Sequence, residues 1–241
     1  MSRRALAAGT AVLAAGALIA GGATASATHS KSGKSGKSAA TERQYQITVE
    51  NLTDGQPISP PFIAAHTRRA DYWSTGTIAN HAVAAIAEDA NNGPAIELGE
   101  LIPQVKTAVT GVEDGATGPA PIGPKASQTY TVTVNGYAGR LTLLAMLVNT
   151  NDAFTGLDSL RLPRRVGHSR TRYRVAYDAG SEKNNESAKY IPGPVGGNPF
   201  VRDPEGNVIR EHPGVKGGAD LNPEDHSVDG KVAKITVKRV K

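Results

Sequence analysis

The stretch Leu143-Leu144-Ala145-Met146-Leu147-Val148-Asn149-Thr150-Asn151-Asp152-Ala153-Phe154-Thr155-Gly156-Leu157-Asp158 decides the fold. Its apolar run is long enough for a fully buried strand, and it stops at Asn-Thr-Asn-Asp before giving way to Phe-Thr-Gly. Buried strands rarely carry acids, so an Asn/Asp cluster at a strand exit puts carboxylate and carbonyl oxygens at a sheet edge. Hard cations such as calcium are held at such places, and ordinary polar turns have the same composition. Both readings stand at this point.

On either side of this run the chain reads as further strands. Tyr45–Leu52 alternates with period two, and Ser127–Val134 does the same. Asn135-Gly136 is a hairpin signal, which makes Arg140–Val148 the returning, more buried strand. Pro60-Pro61 sets an extended segment, Phe62–His66. Arg172–Tyr177 is expected as one strand ending at Asp178-Ala179-Gly180-Ser181-Glu182, and Val232–Val240 closes the sheet. Ile78–Glu88 has helical spacing and is ended by Asp89-Ala90-Asn91-Asn92-Gly93-Pro94. Glu97–Val109 fits a strand, a short helix or both, and Gly111–Gly123 is a Gly/Pro-rich loop. No repeat of solenoid length recurs. Strands joined by Gly/Pro turns, with one short helix, predict an all-β, antiparallel β-sandwich with long rim loops.

Residues 1–27 read as a cleaved secretory signal: Arg3 and Arg4, an Ala-rich apolar run, then Ala-x-Ala sites ending at Ala27. The run is short for a membrane span and no stop-transfer pattern follows, so no transmembrane segment remains after cleavage. Residues 28–43 are a flexible linker rich in Lys, Ser and Gly, and residues 44–241 form one domain. The expected location is extracellular or loosely cell-wall associated. The chain has no cysteine, which removes disulfides, thiolate metal sites and thiol nucleophiles. Six of the 27 Lys and Arg, but one of the 22 Asp and Glu, fall within residues 1–43. The remainder is balanced, which argues against a nucleic-acid domain.

Among chemical constellations, Asp152 and the acids of Asp178–Glu182 leave two strands. If those strands end at one rim, Asp152, Asp178 and Glu182 converge, and a cation would relieve their repulsion. Solvated turn acids are the alternative. Asp220-Leu221-Asn222-Pro223-Glu224-Asp225 starts like an EF-hand loop but has Asp225 where glycine is required, so a solvated acidic loop is the better reading. His66 and His81 lack zinc-site spacing. Glu88 and Asp89 are the one carboxylate pair to test for glycoside hydrolysis, and a helix-terminal turn explains them equally. Tyr72 and Trp73 fit a stacking platform or, more simply, core.

Several segments resemble the spondin domain, the N-terminal module of F-spondin and mindin. They are Ser59-Pro60-Pro61 with His66, Asp71-Tyr72-Trp73-Ser74-Thr75-Gly76, Ala87-Glu88-Asp89, Met146–Gly156, Tyr177-Asp178-Ala179-Gly180-Ser181-Glu182 and Val232–Val240. The resemblance runs from Tyr45 to the C-terminus and implies a calcium-binding β-sandwich with Asp152, Asp178 and Glu182 as metal ligands. Two departures bear on that set. Glu182 stands where the family has Asp, and Asn151 where animal members have Pro. The chain also lacks the animal modules' cysteines and thrombospondin-type repeats. The expectation is a secreted, non-enzymatic calcium binder engaged in adhesion or recognition, its partner an unidentified extracellular glycan, protein or lipid surface. A secreted hydrolase and a calcium-dependent membrane-surface binder are the alternatives.

Overall fold

The computed structural model describes residues 42–192 and 201–241. The expected signal, most of the linker and residues 193–200 lie outside them. In chain order the first elements are β1 (Arg43–Asn51), β2 (Phe62–His66), α1 (His81–Asp89), α2 (Gly93–Leu101), β3 (Val105–Thr110) and β4 (Ser127–Val134). Next come β5 (Arg140–Met146), β6 (Ala153–Arg161), β7 (Ser169–Arg174) and β8 (Tyr177–Asp178). After a 3₁₀ turn at Ala188–Tyr190 follow β9 (Arg210–Glu211), α3 (Pro223–His226) and β10 (Ala233–Arg239). The strands form two antiparallel sheets, a four-stranded one in the order β4-β1-β10-β7 and a six-stranded one in the order β3-β2-β5-β6-β8-β9. The all-β sandwich is the observed fold.

The smaller sheet shows the period-two rule directly. Tyr45, Ile47 and Val49 point inward from β1, and Ile235 and Val237 do so from the adjacent β10, with Val49 opposite Ile235. The continuous apolar run of β5 has a different cause. Leu141, Leu143 and Ala145 enter the core between the sheets, whereas Leu144 enters a second core on the far face. That second core joins Phe62 and Phe154 of the large sheet to Val83 and Ile86 of α1 and to Trp73. A strand covered by a sheet on one face and by helices on the other has no polar side to show.

Four expectations need correction. Asn135-Gly136 does not close a hairpin: β4 pairs with β1, β5 pairs with β2 and β6, and the connection crosses between sheets. Gly139 anchors the crossing, donating to the His66 carbonyl and accepting from the Leu162 amide. Beside β4, whose outer face is open, β5 would expose Leu144, which the second core covers instead. Second, the helix expected over Ile78–Glu88 begins at His81, with Asn80 as its cap and Ile78 bridged to Val208; β6, opening at Ala153-Phe154, is the hairpin partner of β5. Third, Arg172–Tyr177 is not one strand: β7 belongs to the small sheet and β8 to the large one, with Val175 and Ala176 making the passage. Fourth, the expected single helix has companions. Asn91-Asn92-Gly93-Pro94 ends α1 and also starts α2, because proline in a helix's first turn gives up only an unpaired N–H. Asn80 caps α1 by accepting from the Val83 amide at 3.1 Å. Among the described residues no helix is long and apolar enough to cross a membrane.

Candidate metal centre at the acidic rim

The turn Val148–Asp152 links β5 to β6 and is buried despite its polarity. Its own side chains supply the missing bonds. Thr150 Oγ1 donates to the Leu147 carbonyl at 2.6 Å and accepts from the Ala153 amide at 3.0 Å. Gln56, from the β1–β2 connection, accepts from the Asn149 amide at 3.0 Å and donates to its carbonyl at 2.9 Å. This framework holds Asp152 fully buried.

Asp152 is held against the backbone of the loop that carries Glu182. Asp152 Oδ2 accepts from the Glu182 amide at 2.9 Å, and from the amide and hydroxyl of Ser181 at 2.8 and 3.2 Å. Asp178 is next door, opposite Ala153 in the β6–β8 ladder, and is equally buried. Its oxygens are engaged otherwise. Oδ1 accepts from the Gly180 amide at 2.6 Å; Oδ2 accepts from Asn184 at 2.7 Å and from Arg210 at 2.8 and 3.1 Å. His212 completes this side. Its Nδ1 accepts from the Gly214 amide, so its Nε2–H donates to Asn184 Oδ1.

The end of α1 brings further acids that sequence reasoning did not join to this cluster. Arg202 lies between Glu88 (2.5 Å), Asp89 and Glu182 (3.6 Å), each in ion-pair contact. Glu88 and Asp89 therefore share one guanidinium and do not face each other across a cleft as a glycosidase pair would. Among the described residues, three carboxylate oxygens here are buried without a hydrogen-bond partner: Asp89 Oδ1, Asp152 Oδ1 and Glu182 Oε2. They come from three separate elements. No group of three or more acidic or histidine side chains stands in metal-holding geometry among the described residues.

The electrostatics follow from burial. Desolvation, and after it the Asp178 charge, pushes the Asp152 carboxyl up to about 7 against the pull of the Glu182 and Ser181 donors. Burial first, and then Glu88, raises Glu182 to about 8, with Arg202 acting in the opposite direction. Each of these carboxylates is costly to ionise where it stands. An unpaired buried oxygen on an acid that resists ionisation suits an added cation, and every free donor is oxygen, which fits calcium rather than a softer metal.

The remaining candidates resolve as follows. His66 is buried with both ring nitrogens bonded, to the Thr67 carbonyl at 2.8 Å and Thr142 Oγ1 at 2.9 Å, whereas His81 is exposed at the start of α1. The Asp220–Asp225 segment runs into α3, with Asn222 capping and Asp220 bonded to the Ala188 amide. Trp73 is core, edge-on to Phe154 and Tyr177 with centroids 5.0 and 4.9 Å away. Missed entirely was Arg202, which has no local signal in the sequence. Glu88 and Asp89 had one, since Ala87-Glu88-Asp89 is among the spondin-like segments.

Fold and site together define a two-sheet antiparallel sandwich with a helical cover and a buried acidic cluster at one rim. No protein-family model matches the chain and no curated protein matches it, so the spondin resemblance rests on the order of its motifs.

Proposed function

We propose that this protein is a secreted calcium-binding β-sandwich of the spondin type, serving adhesion or recognition outside the cell. The observation that carries the reading is the set of unpartnered buried oxygens, Asp152 Oδ1, Glu182 Oε2 and Asp89 Oδ1, on three different elements of one rim. Calcium held by Asp152 and Glu182, with Asp89 beside them, would neutralise the crowded acids and tie together the β5–β6 turn, the loop after β8 and the end of α1. Asp178, given the same role by resemblance, has both oxygens engaged and would position the loop through Gly180, Asn184 and Arg210. A binding role, not a catalytic one, suits a site whose acids are covered.

The test is calcium titration of EDTA-treated protein, followed by calorimetry and thermal melting. Calcium should raise the melting temperature and magnesium, stricter in geometry, should not replace it. Asp152→Asn should remove the response and Asp225→Asn should leave it. Equal melting curves in calcium and EDTA would end the metal reading.

A further inference from the structure

The opposite end of the sandwich carries the opposite charge. Along the β5–β6 hairpin the acidic turn lies beyond Met146 and Phe154, and the other end begins at the paired Arg140 and Arg161. The seven residues of β5 separate the two by roughly 20 Å at the strand rise. There a cavity of about 710 Å³ opens between the strand ends and loops. Arg43, Arg68, Arg69, Arg140, Arg161 and Arg164 line it, and Lys106 and Arg239 complete the wall without a single acidic side chain in the lining.

These cations meet little opposite charge: Arg140 acts on the Asp158 carboxyl, which lies beyond ion-pair distance. Among the described residues none of them forms an ion pair with a carboxylate. Arg140 bonds the Ser159 carbonyl, Lys106 the Pro103 carbonyl, and Arg239 the Arg164 carbonyl and the main-chain oxygen of Lys241. The neighbouring Glu42 is paired with Lys241. Like charges gathered in a concavity repel one another and focus a positive field outward, a cost relieved only by an anion.

A second observation says what kind. The segments around the cavity also hold apolar side chains in water. Tyr137, itself in the lining, is 64% exposed; Leu101, two residues before Pro103, is 80% exposed; Val166, two after Arg164, is 59% exposed. Val240 follows Arg239 and is exposed too. A lone exposed leucine is ordinary, but apolar tips around an unpaired basic cavity are the pairing by which proteins sit on anionic bilayers. The cavity takes a phosphate headgroup while the tips enter the acyl boundary.

We infer that this end of the sandwich docks on an anionic phospholipid surface, independently of calcium and of the acidic rim. A single-stranded nucleic acid fits less well: Tyr137 is the one exposed aromatic in the lining, which gives no stacking series.

The test is sedimentation of the full chain with vesicles, in EDTA and, as a control, in calcium. Phosphatidylglycerol/phosphatidylcholine vesicles should carry the protein down and pure phosphatidylcholine should not, with binding falling as salt rises. Arg161→Gln with Arg164→Gln, both exposed, should weaken binding roughly 30-fold, at about fivefold per cation near the surface. Leu101→Ser with Val166→Ser should weaken it while preserving the salt dependence. Lys31→Gln, Lys34→Gln and Lys37→Gln together should leave it intact. Melting curves establish that each variant is folded. The inference is overturned if the Arg pair has no effect, if the linker triple variant abolishes binding, or if vesicles bind only with calcium. It is equally overturned if dextran sulfate or an oligonucleotide binds as tightly and the Leu101/Val166 variant changes nothing, for the cavity then serves a soluble polyanion.

Discussion

Asp152→Asn in the metal-free protein tests the physical account of the rim most sharply. The Asp152 carboxyl stands at about 7 in the fold against an ordinary 3.8. Between those values the folded chain holds a proton that the unfolded chain has released. Stability therefore falls as pH rises through this window, and the full penalty is present above the folded value. Acidifying from about pH 8 to about pH 5 recovers roughly two pH units of proton linkage, or about 3 kcal/mol. For a domain of this size that is roughly 6–12 °C in melting temperature. Asparagine keeps an acceptor for the Ser181 and Glu182 amides but cannot ionise, so the variant should lose this part of the pH slope. Glu182, raised to about 8, contributes in the same direction and leaves a residual slope. Calcium should flatten the wild-type profile from the alkaline side, because metal and protons compete for the same oxygens. The assay is thermal melting across this range in EDTA, read by the fluorescence of Trp73. Parallel slopes for wild type and variant, or a melting temperature that climbs with pH through the window, would refute the reasoning.

Other perturbations address neighbouring parts of the argument. Arg202→Gln leaves Glu88, Asp89 and Glu182 without their shared cation and should cost about 3 kcal/mol in EDTA, and less in calcium, as urea unfolding in both conditions would show. Gly156→Ala places a Cβ 1.9 Å from the Leu143 carbonyl, backbone that has no room to yield. It should break the β5–β6 pairing and prevent folding, which the loss of cooperative melting would report. Trp73→Ala empties a site packed by Phe154 and Tyr177 and should cost about 3–5 kcal/mol by urea titration.

Much of the sandwich was legible because its strands obey two simple rules. β1, β4 and β10 alternate, and β5 does not, and each pattern reports how many faces are covered. What failed was connectivity. Asn135-Gly136 has the composition of a hairpin turn, but composition does not say which sheet the next strand joins; that is set by the need to cover both faces of β5. The β7–β8 passage is similar, since Val175 and Ala176 look like strand and serve as a bridge between sheets. Pro94 was read for what it ends, not for what it starts. At the site, Asp152 and Glu182 were named from the residues flanking strands, and the Glu182 backbone amide donates to Asp152 Oδ2. Asp178 meets Arg210 instead, and Arg202 and the α1 acids arrive from distant segments that no spacing rule connects.

The charge balance of the domain teaches the same lesson about sums. Equal numbers of acids and bases argue against a polyanion ligand only if the two signs are mixed, and here one end of the hairpin gathers cations with no acid in the cavity lining while the other buries Asp152, Asp178 and Glu182. Sorting also predicts how the ends act on each other. Across roughly 20 Å of largely aqueous path, one pair of unit charges interacts by about 0.2 kcal/mol before screening. At physiological salt the screening length is near 8 Å, which removes most of what is left. Loading a divalent cation at the acidic rim should therefore change affinity at the basic cavity by less than about twofold, measured as vesicle binding with and without calcium. A larger coupling could not be electrostatic. It would have to travel through the β5–β6 hairpin itself, as a shift in strand register or in the Gly139 crossing, and Asp152→Asn would then alter binding at an end of the molecule that it does not touch.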